Sequence, residues 1–167
     1  MIDVVRIPEA RKAVLIGKNG STKKKIEKST GVSIEVDEGV VIEGEALGVF
    51  TASKMVKAIG RGFTPQEATA LLTEDFDLYI MPVSGTKKRR ETKIARLIGR
   101  QGSAKDQLEE YTGAKIAVQG KTVAVIGTYT EISNAVRAIE DLLAGSRHAS
   151  VYKHAIKRKA KDKSLAL

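Results

Sequence analysis

The stretch Ile16-Gly17-Lys18-Asn19-Gly20 returns as Ile98-Gly99-Arg100-Gln101-Gly102, and its surroundings return with it. From 16 to 98 the offset is 82 residues, and Ser21/Ser103, Lys23/Lys105, Ile26/Leu108, Glu27/Glu109, Thr30/Thr112, Gly31/Gly113 and Ile34/Ile116 match at that offset. One G-x-x-G alone is a weak motif. The same G-x-x-G with a cation in the same variable slot, at equivalent places in two duplicated units, signals a loop built to meet another backbone, used twice.

Reading outward from the first copy, Ile2 to Ile7 is rich in β-branched residues and predicts a strand. Pro8 stands where a helix can begin. Glu9 to Ile16 makes a short helix broken by Gly17 and Gly20, Ser21 to Thr30 a second, and Gly31 a left-handed cap. Val32 to Val36 and Val40 to Glu43 are strands joined through Asp37-Glu38-Gly39. A third helix over 45–61 places Val49, Ala52, Val56 and Ile59 on one face.

The second copy repeats the order. Phe76 to Val83 is the strand, Glu91 to Ile98 and Ser103 to Thr112 are helices, and Gly113 caps. Ala114 to Val118 pairs with Thr122 to Ile126 across Gln119-Gly120-Lys121. Thr128 and Glu131 form a capping box for a helix whose core face is Ile132, Ala135, Ile139 and Leu142. The fold class is therefore α+β: two β-α-α-β-β-α units, each a three-stranded antiparallel sheet against three helices. Their expected extents are 1–62 and 75–145. Thr64-Pro65-Gln66-Glu67 starts a short helix in the connector 63–74, which should hold the units in a fixed relation. Residues 146–167 read as a basic tail, helical at most near Tyr152 to Lys159 and marginal alone.

Lys plus Arg (29) exceed Asp plus Glu (20), giving a net charge of +9 that favours polyanionic partners. Cysteine is absent, which excludes disulfides, thiolate nucleophiles and cysteine-bound zinc. His148 and His154 are the only imidazoles. No cofactor or metal is expected, and no Ser/His/Asp or clustered-carboxylate arrangement recurs in both copies, so the chain is expected not to be an enzyme. Aromatics make up 4% of residues, too few for ring stacking to be the main mode of nucleic-acid contact. With no apolar run of about 18 residues and no leader-like start at Met1-Ile2-Asp3-Val4, a cytoplasmic chain free of membrane contact is expected.

Two helices meeting at a Gly-rich turn present main-chain amides, and the positive end of the second helix, to phosphate oxygens. Lys18 and Arg100 place charge where a phosphodiester would lie. Ile16 and Ile98, with Ile26/Leu108 and the second strand at Ile34 and Ile116, could floor unstacked bases, which suits single strands. A nucleotide-binding P-loop is excluded, because Lys12 occupies the first glycine site and Asn19 follows Lys18. A DNA-reading helix-turn-helix fits poorly, because each helix pair runs on into a strand pair.

The motifs I-G-K-N-G-S-x-K with T-G-V-S-I, and I-G-R-Q-G-S-x-K with T-G-A-K-I, resemble the type I K-homology (KH) domain over about residues 1–60 and 75–144. That likeness implies a loop clamping about four nucleotides of single-stranded RNA. The joint from Ala58 to Ala68, with Leu71-Leu72, further resembles the two-KH ribosome-assembly family called Partner of Nob and its Krr-type relatives, in its compact archaeal branch. The family likeness implies an adaptor at the 3′ region of small-subunit ribosomal RNA, beside a Nob-type endonuclease and the alpha subunit of translation initiation factor two. The alternative is a protein-interaction scaffold recruiting these partners, with incidental RNA contacts. A monomer is expected.

The RNA-binding residues expected are Ile16, Gly17, Lys18, Asn19, Gly20, Lys23 and Ile34, with Ile98, Gly99, Arg100, Gln101, Gly102, Lys105 and Ile116. Accessory contacts are expected from Arg11, Lys12, Lys87, Lys88, Arg89, Arg90, Lys157 and Arg158. Lys24 and Lys25, matched by Asp106 and Gln107, read as a solvated face.

Overall fold

The computed structural model describes residues 1–166. Two units emerge from the packing of these residues, Met1–Leu78 and 79–166. Unit one runs β1 (Ile2–Val5), α1 (Glu9–Ile16), a 3-10 turn (Lys18–Gly20), α2 (Ser21–Thr30), β2 (Ser33–Val36), β3 (Val40–Glu43) and α3 (Ala46–Gly60). The sheet order is β1-β3-β2, antiparallel throughout, with Val4 opposite Val41 and Ile34 opposite Ile42. Strand alternation sends Ile34, Val40 and Ile42 inward, where they meet Leu15, Ile26, Val49, Ala52, Val56 and Ile59, all buried. Each such Val, Leu or Ile side chain contributes about 1.5–3 kcal/mol by leaving water.

The segment read as a connector belongs to unit one. α4 (Pro65–Ala68) opens on a full capping box between Thr64 and Glu67, a 3-10 turn (Thr69–Leu72) follows, and both pack on α3. Phe63, Ala68 and Leu71 are buried, so this stretch adds to a core rather than spanning solvent.

Unit two runs through β4 (Asp77–Pro82), which begins two residues ahead of the Tyr79 boundary, α5 (Lys87–Ile98), a 3-10 turn (Arg100–Gly102), α6 (Ser103–Thr112), β5 (Lys115–Gln119), β6 (Thr122–Gly127), α7 (Tyr129–Leu143) and α8 (His148–Leu165). Its sheet order, β4-β6-β5, repeats that of unit one. α7 starts on the capping box of Thr128 and Glu131.

Two expectations are corrected here. The run Lys87-Lys88-Arg89-Arg90, left ahead of a helix expected to start at Glu91, is the first turn of α5. Four cations oppose the helix dipole there. Thr86 caps the helix by accepting from the Arg89 amide at 3.3 Å, while Arg90 and Lys93 donate to the carbonyls of Gly85 (2.7 Å) and Ser84 (3.1 Å). The basic tail is likewise a docked helix. Val151 and Ala155 of α8 are buried in the unit-two core. Asn134 of α7 donates to the Ala155 carbonyl at 2.9 Å, and a His148 ring nitrogen lies 2.9 Å from the Arg96 carbonyl. Tertiary contacts supply the order that an isolated helix of this composition lacks. Leu167, part of that tail as read from the sequence, lies outside the described residues.

Candidate nucleic-acid interface

Each G-x-x-G sits where one helix stops and the next begins. Gly17 (φ 73°, ψ 178°) ends α1 and Gly20 (φ 74°, ψ 14°) starts α2; Gly99 (φ 74°, ψ 180°) and Gly102 (φ 78°, ψ 9°) do the same between α5 and α6. Between them Asn19 (φ 56°) and Gln101 (φ 55°) occupy the left-handed region, the only non-glycine residues at positive φ among those described. Two loops of different sequence thus share one backbone conformation.

The glycines have separate jobs. A Cβ on Gly17 would stand 2.8 Å from the Thr22 Cβ, and one on Gly99 would stand 2.6 Å from the Ala104 Cβ, so the first glycine lets the second helix approach its own loop. A Cβ on Gly102 would meet nothing within 4 Å, and one on Gly20 only the Lys24 Cε at 3.9 Å. The second glycine faces open space, apart from its need for positive φ.

Gly20 donates to the Gly17 carbonyl (3.2 Å) and Ser21 to that of Lys18; Gly102 donates to Gly99 (3.3 Å) and Ser103 to Arg100. The amides of Lys18, Asn19, Arg100 and Gln101 open their 3-10 turns, where a leading amide has no carbonyl of its own turn to meet. All four residues are exposed. Each loop therefore offers two main-chain donors, a helix N-terminus and one cation at the same spot, the arrangement that draws an anionic oxygen.

Several expected residues sit differently. Ile34 and Ile116 are 1% and 2% exposed, and Ile26 and Leu108 are also core, so none of the four floors a surface groove. Their neighbours Ile16, 36% exposed, and Ile98, half-buried, remain beside the loops. What Ile34 and Ile116 offer outward is main chain, and their amides are already taken: by Glu27 at 2.8 Å and by Glu109 at 2.9 Å. Lys23 and Lys105 pair with those same carboxylates at 3.6 and 3.1 Å, which gives their repetition a structural reason. Arg11 is committed as well: it donates to the carbonyls of Ile59 and Phe63, both at 2.7 Å, closing the C-terminal end of α3. Lys12 pairs with Glu9 at 2.8 Å. Arg158 donates to Asn134 at 2.6 Å. Lys87, Lys88, Arg89 and Lys157 are exposed.

The sequence reading missed the Glu27 and Glu109 relays, although both glutamates recur at the shared offset, which was the available signal. It also missed Arg96, which donates to the carbonyls of Leu142 (2.6 Å) and Ser146 (2.8 Å) and serves α7 as Arg11 serves α3. Among the described residues no group of three or more His, Cys, Asp or Glu is placed to hold a metal, and no helix is long and apolar enough to cross a membrane.

Comparison with known proteins agrees with this geometry. The family model described as eukaryotic type KH-domain (KH-domain type I) matches residues 78–161, and the KH domain model matches residues 2–58. The KH domain-containing protein MJ0443 of Methanocaldococcus jannaschii is 37% identical over 97% of this chain and 76% of its own length. The pre-rRNA-processing protein pno1 of Aspergillus fumigatus is 30% identical over 70% of this chain, and the match spans 45% of that longer protein. A solved chain of the a/eIF2alpha–aDim2p–rRNA complex from Pyrococcus horikoshii OT3 superimposes with a TM-score of 0.90 at 41% identity, covering 96% of this chain and 95% of its own. The chain belongs to the type I KH-domain family, in its two-domain Dim2/PNO1 branch, with one KH domain in each unit.

Proposed function

We propose that this protein grips the backbone of single-stranded RNA with both G-x-x-G loops and serves small-subunit ribosome assembly as an adaptor, a cytoplasmic monomer with no chemistry of its own. The observation that carries this reading is the pair of turn-opening amides at Lys18/Asn19 and Arg100/Gln101, each beside a cation and a glycine facing open space. Gly17 and Gly99 hold the loop against the second helix, Gly20 and Gly102 admit the ligand, and Lys18 and Arg100 supply charge. Ile16 and Ile98 give a rim for a base. Ribosomal RNA is supported as the target by relatives named for pre-rRNA processing and by the neighbour solved with rRNA. The same neighbour's complex supports a/eIF2alpha as a protein partner; recruitment of a Nob-type endonuclease belongs to the same proposal.

The test replaces Lys18 and Asn19, then Arg100 and Gln101, with aspartate pairs. Aspartate tolerates the left-handed conformation at positions 19 and 101, so circular dichroism should be unchanged while RNA affinity collapses. Unaltered affinity contradicts the loop assignment. The scaffold reading, favoured by the a/eIF2alpha complex of the neighbour, instead expects protein binding to survive these substitutions with RNA binding irrelevant to recruitment.

A further inference from the structure

We propose a nucleotide subsite separate from both loops, between α7 and α8, where one phosphate of an RNA strand sits among Arg137, Arg158 and Lys161 and the adjoining base lies on Tyr129. It rests on the RNA-binding reading above. The cavity measures about 310 Å³, with Tyr129, Ser133 and Arg137 supplied by α7 and Arg158, Lys161 and Asp162 by α8. The α7 residues are spaced four apart and share one helical face. Three cations meet one carboxylate, so the cavity has an excess of positive charge.

Arg158 shows what is missing. Its Nε donates to the Oδ1 of Asn134 at 2.6 Å, which fixes the guanidinium. Its Nη2 is buried with no hydrogen-bond partner. Burial, then the like charge of Arg137, lowers its pKa, against the pull of Asp141 and Asp162. A buried donor left unmatched and two guanidinium charges near enough to repel are both costly. A phosphate oxygen drawn in by these cations relieves the repulsion, and gives Nη2 an acceptor once the guanidinium turns toward it.

Tyr129 identifies the rest of the ligand. It is 85% exposed, in a chain with 4 tyrosines and 3 phenylalanines. An uncovered ring beside an anion pocket is a stacking platform for a base. An acidic peptide would leave the ring unused, so a nucleotide fits better. Neither α7 nor α8 contributes to a G-x-x-G loop, so the subsite extends the bound strand beyond what one loop clamps.

The test uses the full chain with Tyr129→Ala and, separately, the double variant Arg137→Glu/Lys161→Glu. All three side chains are exposed, and circular dichroism checks the fold. Affinity is measured for an oligoribonucleotide of about four residues, the span of one loop, and for one roughly three times as long. Both variants should bind the short strand like the parent and lose about tenfold or more on the long one, the worth of a stack or of lost phosphate contacts. Unchanged affinity for the long strand overturns the subsite. If the loop aspartate variants abolish binding while these do not, only the subsite fails; if the loop variants bind normally, the RNA reading fails first. An oligoglutamate peptide that binds the parent and loses affinity in the double variant, with RNA unaffected, overturns the subsite in favour of protein docking.

Discussion

Glu27 accepts the main-chain amide of Ile34 at 2.8 Å, and 82 positions on Glu109 accepts that of Ile116 at 2.9 Å. β2 and β5 are each an edge strand of their sheet, and each would otherwise present this donor unpaired. The second helix of each unit is thereby tied to its edge strand, so the helix whose N-terminus forms the loop is positioned from its far half. Replacing Glu109 with Ala should cost about 1–3 kcal/mol in chemical denaturation. Glutamine, which keeps an acceptor, should cost less than half as much. Equal losses would show that the charge pair with Lys105, not the amide, holds the contact.

Gly99→Ala and Gly102→Ala should behave differently. The first forces a Cβ against Ala104 and should lower both stability and RNA affinity. The second meets open space and carries only the penalty of positive φ, about 1–2 kcal/mol. Thermal melts and RNA titrations of both variants check this: Gly102→Ala should keep its fold while binding falls. A Gly102→Ala protein binding RNA like the parent would mean that no backbone approaches there.

Arg11 should matter for stability and not for RNA. Its fork closes the C-terminal end of α3 at two carbonyls, so Arg11→Ala should lose about 1–3 kcal/mol. Lysine, a point donor without the planar fork, should rescue little. RNA affinity measured well below the melting temperature should be unchanged.

Tyr152 packs 5.4 Å from Tyr111, centroid to centroid. Burial first, and the neighbouring Tyr111 second, raise its pKa above 10.0. The folded state thus holds this proton more tightly than the unfolded chain, so its contribution to stability is intact below the unfolded value and is lost as pH rises past it. A phenolate absorbance titration should show one tyrosine ionising after the others, and Tyr152→Phe should remove that late component.

Much of this architecture could be read from residue order. Gly17, Gly20 and Gly31, repeated as Gly99, Gly102 and Gly113, fixed the ends of four helices because few other residues fit those backbone angles. The start of α5 was not legible: Thr86 signals a cap, but four adjacent cations at a helix start argue locally against it, and the Gly85 and Ser84 carbonyls that accept from Arg90 and Lys93 are visible only in three dimensions. α8 was hidden for a similar reason. Its buried stripe is small, Val151 and Ala155, and its docking depends on Asn134 from a different helix. At the site, the loops were legible but the roles of Ile34 and Ile116 were not. Strand alternation decides which way a side chain points, and the register that sends these two inward is set by β3 and β6.

Phosphate capture by the main-chain amides that open each loop's turn can be measured directly. The protein would be labelled with nitrogen-15 and titrated with a single-stranded oligoribonucleotide, following the amide protons of Lys18, Asn19, Arg100 and Gln101. Hydrogen bonding to phosphate oxygens should move these four resonances downfield more than any others in the first and second helices of each unit. RNA that binds tightly while leaving all four in place would contradict the loops as the point of grip.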